Sequence, residues 1–127
     1  MIAVIRIHGR VDVSFKIKDT LDRLRIQKKL NCVFVDEKDK IKMGMVLRVK
    51  DYVMYGEVSD EFVKKVVEAR GELIDKTKKG VKTLENIKPW IRLHPPRGGF
   101  KKSTKQTVPV GVLGRHKDIS KIMEKML

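Results

Sequence analysis

What constrains the fold most is a switching of hydrophobic period through the N-terminal half of the chain. Ile2 to His8 alternates, with Ile2, Val4 and Arg6 against Ala3, Ile5 and Ile7, which predicts a short strand with at least one buried face. Gly9 ends it. Ser14 stands as N-cap for a helix through Lys28, with Ile17, Leu21 and Leu24 at helical spacing. Asn31 breaks that pattern, and Cys32-Val33-Phe34-Val35 is a continuous apolar run that suits a central strand. After a charged turn from Asp36 to Lys40, Ile41 to Lys50 reads as a second helix with Val46, Val49 and Val53 on one stripe, weakened by Gly44. Tyr52 to Val58 returns to a strand period. Strand, helix, strand, helix, strand predicts an α+β domain with its helices packed on one sheet.

The remainder predicts additions to that unit. Ser59 caps a third helix, Asp60 and Glu61 fill its first turn, and Phe62, Val63, Val66, Val67 and Ala69 form its buried stripe. Gly71 stops it. Lys76 to Lys82 is a lysine-rich connector, and Thr83 to Lys88 has room for one helical turn before Pro89. Trp90 and Ile91 are expected to anchor the following stretch on the core. Val108 to Gly114 is apolar but interrupted by Pro109 and Gly111, which suits an edge strand or extended segment. A last helix starts at about Asp118, with Ile119, Ile122, Met123 and Met126 on one stripe. With 127 residues and 41% hydrophobic content the chain makes one domain with a real core.

Charge decides the function class. Thirty Lys and Arg stand against sixteen Asp and Glu, a formal net charge of +14. Such self-repulsion is expected where a polyanion neutralises it. The richest stretch is 91–105, which carries Arg92, Arg97, Lys101, Lys102 and Lys105 and no acid. Pro95 and Pro96 stiffen its entry, Gly98 and Gly99 permit positive φ and close approach, and Phe100 supplies one flat ring. That combination suits RNA. A membrane surface is the weaker alternative. No apolar run approaches the roughly 20 residues that span a bilayer, and the N-terminus does not read as a signal peptide. A DNA-reading helix-turn-helix, a zinc finger and the aromatic platform of an RNA-recognition sheet are likewise not evident.

Catalysis finds no candidate. Gly98-Gly99-Phe100-Lys101-Lys102-Ser103-Thr104 lacks the spacing of a phosphate-binding loop. His8, His94 and His116 are not at metal-ligand spacing, and Cys32, the single cysteine, reads as a buried thiol. Asp36-Glu37 and Asp60-Glu61 read as turn and helix-start residues. No cofactor and no metal are expected, and the chain is expected not to be an enzyme.

Several blocks together resemble the universal large-subunit ribosomal protein thirty family, in its archaeal type. They are Asp19-Thr20-Leu21-Asp22-Arg23-Leu24 through Asn31-Cys32-Val33, then Met43-Gly44-Met45-Val46, Val49-Lys50-Asp51-Tyr52-Val53 and Gly56-Glu57. Arg92 to Phe100, and Gly114 onward to the last helix, resemble the C-terminal extension of archaeal and eukaryotic members, the eukaryotic counterpart being large-subunit ribosomal protein seven. The resemblance implies a ferredoxin-like core of three antiparallel strands with two helices on one face, at residues 1–58. It implies an extension at 59–127, including the basic loop 91–105 and a terminal helix 117–127. It implies a structural constituent of the large ribosomal subunit, in the cytoplasm, binding large-subunit rRNA near the 5S rRNA region beside neighbouring ribosomal proteins. Two departures stand out: no basic arm precedes the first strand, and the connector at 76–82 is shorter than in many archaeal relatives.

Both readings give one expectation, a non-catalytic RNA-binding scaffold that contacts neither membrane nor DNA. Arg92, His94, Arg97, Lys101, Lys102 and Lys105 are expected on phosphates, Gly98 and Gly99 at the close approach, and Phe100 as a wedge or stacking ring. Arg10 and Lys16 after strand one, Arg23, Arg25, Lys28 and Lys29 on helix one, and Lys42, Arg48 and Lys50 on helix two come second. The alternative is a transient ribosome-assembly or rRNA-processing factor.

Overall fold

A computed structural model describes residues 1–9, 11, 13–71, 87–88, 90–100, 103–107 and 111–127. The expected opening is present: β1 (Ile2–Arg6), α1 (Phe15–Arg23), β2 (Asn31–Val35), α2 (Lys40–Arg48) and β3 (Val53–Glu57). β1 lies between β2 and β3 and is antiparallel to both, so that Val4 sits opposite Val33 on one side and Tyr55 on the other. This is the ferredoxin-like α+β arrangement. After it come α3 (Asp60–Arg70), β4 (Ile91–Arg92), β5 (Ser103–Thr107), β6 (Gly111–His116) and α4 (Ser120–Met126).

The later strands widen the sheet on both sides, in the order β4-β2-β1-β3-β6-β5. β4 pairs antiparallel with β2, and β6 pairs parallel with β3. The stretch expected as an edge strand or extended segment contributes its described residues to β6, which is interior, flanked by β3 and β5. Gly56 makes room for it, since a Cβ there would stand 2.7 Å from the His116 carbonyl oxygen. The segment expected as one basic loop is also divided: its first residues are β4 and its last lie in β5. The terminal helix expected over 117–127 is shorter, Ser120–Met126. The expected connector at 76–82, and residues 83–86 of the helical turn expected over Thr83 to Lys88, lie outside the described residues, while Ile87 and Lys88 are not helical.

All five residues of β1 are buried because both faces of the sheet are covered. On one face Ile2, Val4, Val35, Val53 and Tyr55 pack with Leu21 of α1 and Val46 of α2. On the other, Ala3, Ile5, Cys32 and Met54 pack with Phe62, Val63, Val66 and Val67 of α3 and with Met123 and Met126 of α4. The expectation of helices on one face thus holds for α1 and α2, while α3 and α4 close the opposite face. Burying each such aliphatic side chain is worth about 1.5–3 kcal/mol, so neither layer is incidental to stability.

Local signals were only partly followed. The Ser59 hydroxyl accepts from the Phe62 N–H at 3.3 Å, as a cap should. Ser14 has an extended backbone but makes no capping bond with its side chain. α1 stops at Arg23, well short of Lys28. Arg25 takes a left-handed φ of 67°, its N–H donates to the Asp22 carbonyl (3.1 Å), and the Ile26 N–H donates to the Leu21 carbonyl (3.2 Å). These two bonds are the Schellman ending, in which glycine usually holds the left-handed position. Leu21 and Ile26, both fully buried, add the apolar contact that accompanies it.

Candidate nucleic-acid interface

The turn from Leu24 to Leu30 carries Arg25, Lys28 and Lys29, all exposed and beyond the helix that was expected to hold them. A buried side chain fixes this turn. Arg6, 2% exposed, donates from Nη1 to the carbonyls of Ile26 (3.0 Å) and Gln27 (2.9 Å), from Nε to His8 (3.0 Å) and from Nη2 to Gly9 (3.3 Å). The planar guanidinium, with five donors, serves four carbonyls at once, one more than the three donors of a lysine ammonium could. Leu30, a second non-glycine residue at positive φ (64°), ends the turn with its N–H on the Arg6 carbonyl at 2.7 Å.

β4 brings the extension to the same edge. Asn31 pairs with Arg92 and Cys32 with Ile91, and the Leu93 N–H donates to the Leu30 carbonyl at 3.1 Å. Ile91 and Leu93 are buried while Arg92 between them is exposed, the alternation a strand imposes. Ile91 anchors the stretch as expected. Trp90 does not, being 38% exposed with Lys88 Nζ 5.9 Å from its ring centroid.

The residues after β4 are seated on the C-terminal end of α4. The N–H groups of His94 and Arg97 donate to the carbonyls of Met126 (3.0 Å) and Lys125 (3.1 Å), which the helix itself leaves without partners. Pro96 is buried, and Gly98 and Gly99 both have positive φ, 77° and 75°, as their sequence implied. Among the described residues no atom lies within 4 Å of a Cβ built on either, and their positive φ is what demands glycine there. His94, Arg97, Gly98 and Gly99 are exposed, and Phe100 is half-buried against the core cluster instead of standing free.

A second basic region lies on the outside of α1 and α2, where Lys16, Arg23, Lys42 and Arg48 are exposed, with Lys50 just past the end of α2. Arg23 is held by Asp19 at 3.2 Å. Among the described residues none of Lys16, Arg25, Lys28, Lys29, Lys42, Arg48, Lys50, Arg92 and Arg97 is paired with an acid. Unpaired surface cations of this density repel one another and gain most from a polyanion. Arg10, Lys101 and Lys102, and the side chain of Lys105, lie outside the described residues.

Three residues absent from the sequence-derived set, Gln27, Asn31 and Trp90, line the cleft at this edge. A cavity of about 420 Å³ is bounded by Arg25, Gln27, Lys28, Asn31, Trp90 and Arg92. Asn31 is 5% exposed, and its Oδ1 is buried with no hydrogen-bond partner among the described residues. An acceptor left so is destabilising by about 1–3 kcal/mol. The signal for Trp90 was its place as a lone tryptophan between Lys88 and Arg92. Asn31 was read only as the break between helix one and strand two, with no sign of a place in the cleft.

Cys32 is fully buried, and burial pushes its thiol up to about 12. A neutral thiol is a poor nucleophile. Among the described residues no group of His, Cys, Asp and Glu could hold a metal ion, and no helix is long and apolar enough to cross a membrane.

Fold and surface define a class, a small ferredoxin-like α+β protein with a cationic sheet edge. Residues 2–53 match the family model described as Ribosomal protein L30p/L7e. The chain is 37% identical over 153 aligned positions to "Large ribosomal subunit protein uL30" of Archaeoglobus fulgidus, with 99% of each chain covered. Proteins of the same name from Methanothrix thermoacetophila (34%, 99% of each) and Staphylothermus marinus (35%, 98% of this chain and 97% of the relative) are similar throughout. The chain therefore belongs to the L30p/L7e family, a family of structural ribosomal proteins and not of enzymes.

Proposed function

We propose that this chain is a structural constituent of the large ribosomal subunit in the cytoplasm, binding large-subunit rRNA near the 5S rRNA region beside neighbouring ribosomal proteins. The observation that carries the reading is the sheet edge where Arg25, Lys28 and Lys29, on a turn fixed by buried Arg6, and Arg92, on the neighbouring β4, stand exposed with no acid partner among the described residues. With the backbone of the turn already fixed, less ordering is left to lose on meeting phosphates, and binding releases the counterions held there. His94, Arg97, Lys101, Lys102 and Lys105 extend the array, with Gly98 and Gly99 giving close approach and Phe100 a flat edge. Arg10, Lys16, Arg23, Lys42, Arg48 and Lys50 make a second contact surface. Residues 1–58 form the core unit in this reading, and 59–127 the extension that completes the RNA-facing edge.

Sedimentation of a native lysate through a density gradient, before and after a high-salt wash, tests the role. One copy per large subunit after the wash is expected. Substoichiometric amounts, or loss to the light fractions, would instead indicate a transient assembly or rRNA-processing factor.

A further inference from the structure

The cleft at the sheet edge has a composition that phosphate binding alone does not need. Three cations, Arg25, Lys28 and Arg92, surround it, but Trp90 and Asn31 also line it. Phosphate contacts are served by cations and backbone N–H groups; a half-exposed indole and a buried amide acceptor without a partner suit a base. At about 420 Å³ the space lies within the range of about 300–1,000 Å³ typical of small-ligand pockets.

We propose that this cleft receives one unpaired nucleotide of the bound RNA, its base on the Trp90 ring, its polar edge on the Asn31 amide and its flanking phosphates on Arg25, Lys28 and Arg92. The proposal deepens, and rests on, the reading of the chain as an rRNA-binding protein. Lys88 near the Trp90 ring steadies the indole for a second flat partner. Asn31 meets an N–H on the base edge, the terminal torsion of the amide being free enough to present its oxygen. Arg25 is held at a positive φ that glycine would adopt more easily, which keeps a cation at the rim at the expense of local strain. The site exists only where core and extension meet: Arg25, Lys28 and Asn31 come from the turn and start of β2, Trp90 and Arg92 from around β4.

Trp90 is the single tryptophan, so its emission reads the cleft without a label. The full chain is titrated with large-subunit rRNA while retention of the RNA on a filter is measured in parallel. Quenching that follows the binding curve is expected, as is a loss of affinity of about 5- to 150-fold in Trp90→Leu, the range for one lost base stack, with Trp90→Phe retaining most of it. Binding with unchanged emission, or unchanged affinity in Trp90→Leu, would overturn the cleft proposal and leave the rRNA reading standing. AMP alone quenching as tightly as the rRNA would also overturn it, by making the cleft a free-nucleotide pocket. Failure of the parent chain to retain rRNA at all would remove both readings. The emission arm needs no substitution, so a misfolded variant cannot hide the answer.

Discussion

Arg25 shows stability and surface chemistry in conflict at one position. Its left-handed backbone costs a non-glycine residue on the order of 1 kcal/mol, yet the Schellman ending of α1 requires it. Arg25→Gly is expected to raise the unfolding free energy by about 0.5–1 kcal/mol in urea while lowering affinity for rRNA. A fall in both would mean that the Arg25 side chain also supports the fold. Cys32 gives a second residue-scale expectation. Its thiol is raised from an ordinary 9.0 to about 12 by burial, so between those values the unfolded thiol ionises while the folded one stays neutral. The raised value means that this contribution is intact below pH 9.0 and is lost as pH climbs toward about 12, by at most about 4 kcal/mol. Chemical unfolding of the parent and of Cys32→Ala across that window checks it, since the lysines titrating there are common to both.

At the scale of the element, β3 and β6 depend on a missing side chain. A Cβ on Gly56 would meet the His116 carbonyl at 2.7 Å and Ile119 Cβ at 3.1 Å, and a strand carbonyl cannot swing aside as a flexible side chain can. Gly56→Ala is expected to destabilise the fold by about 1–3 kcal/mol and to loosen β6 from β3. Equilibrium unfolding, with amide exchange at β6 as the local reading, measures both. The seating of residues 94–97 on the end of α4 belongs to this scale as well. Those N–H groups satisfy carbonyls that a free helix end would leave to water, so the basic segment and the terminal helix stabilise each other.

Across the whole molecule, a formal charge of +14 with few ion pairs on the candidate surface makes association strongly dependent on salt. If about 6–10 phosphates are met, affinity for large-subunit rRNA should fall about 10³- to 10⁵-fold between about 50 and 200 mM monovalent salt. Filter retention across that range gives the slope, and a shallow one would mean that far fewer phosphates are touched. The two-sided burial of the sheet has its own meaning here. α3 and α4 cover the face formed by Ala3, Ile5, Cys32 and Met54, so the elements after β3 are part of the core.

The chain's own pattern determined the βαβαβ order, the stop of α3 at Gly71, the positive φ of Gly98 and Gly99 and the burial of Cys32. Each depends on near neighbours, through period, capping or backbone sterics, and is therefore written locally. The basic character of 91–105 was legible for the same reason, since charge is counted without knowing the fold. Tertiary structure alone decided the rest. The turn that ends α1 early is held around an arginine, where sequence rules look for glycine, because the buried Arg6 guanidinium, some twenty residues away in sequence, binds the Ile26 and Gln27 carbonyls. β6 became interior because Gly56, far away in the chain, leaves it room. Arg92 stands beside Asn31 because β4 pairs with β2. Contacts between residues distant in sequence leave no period behind, and that is why the cleft at the sheet edge appears only when the chain is folded.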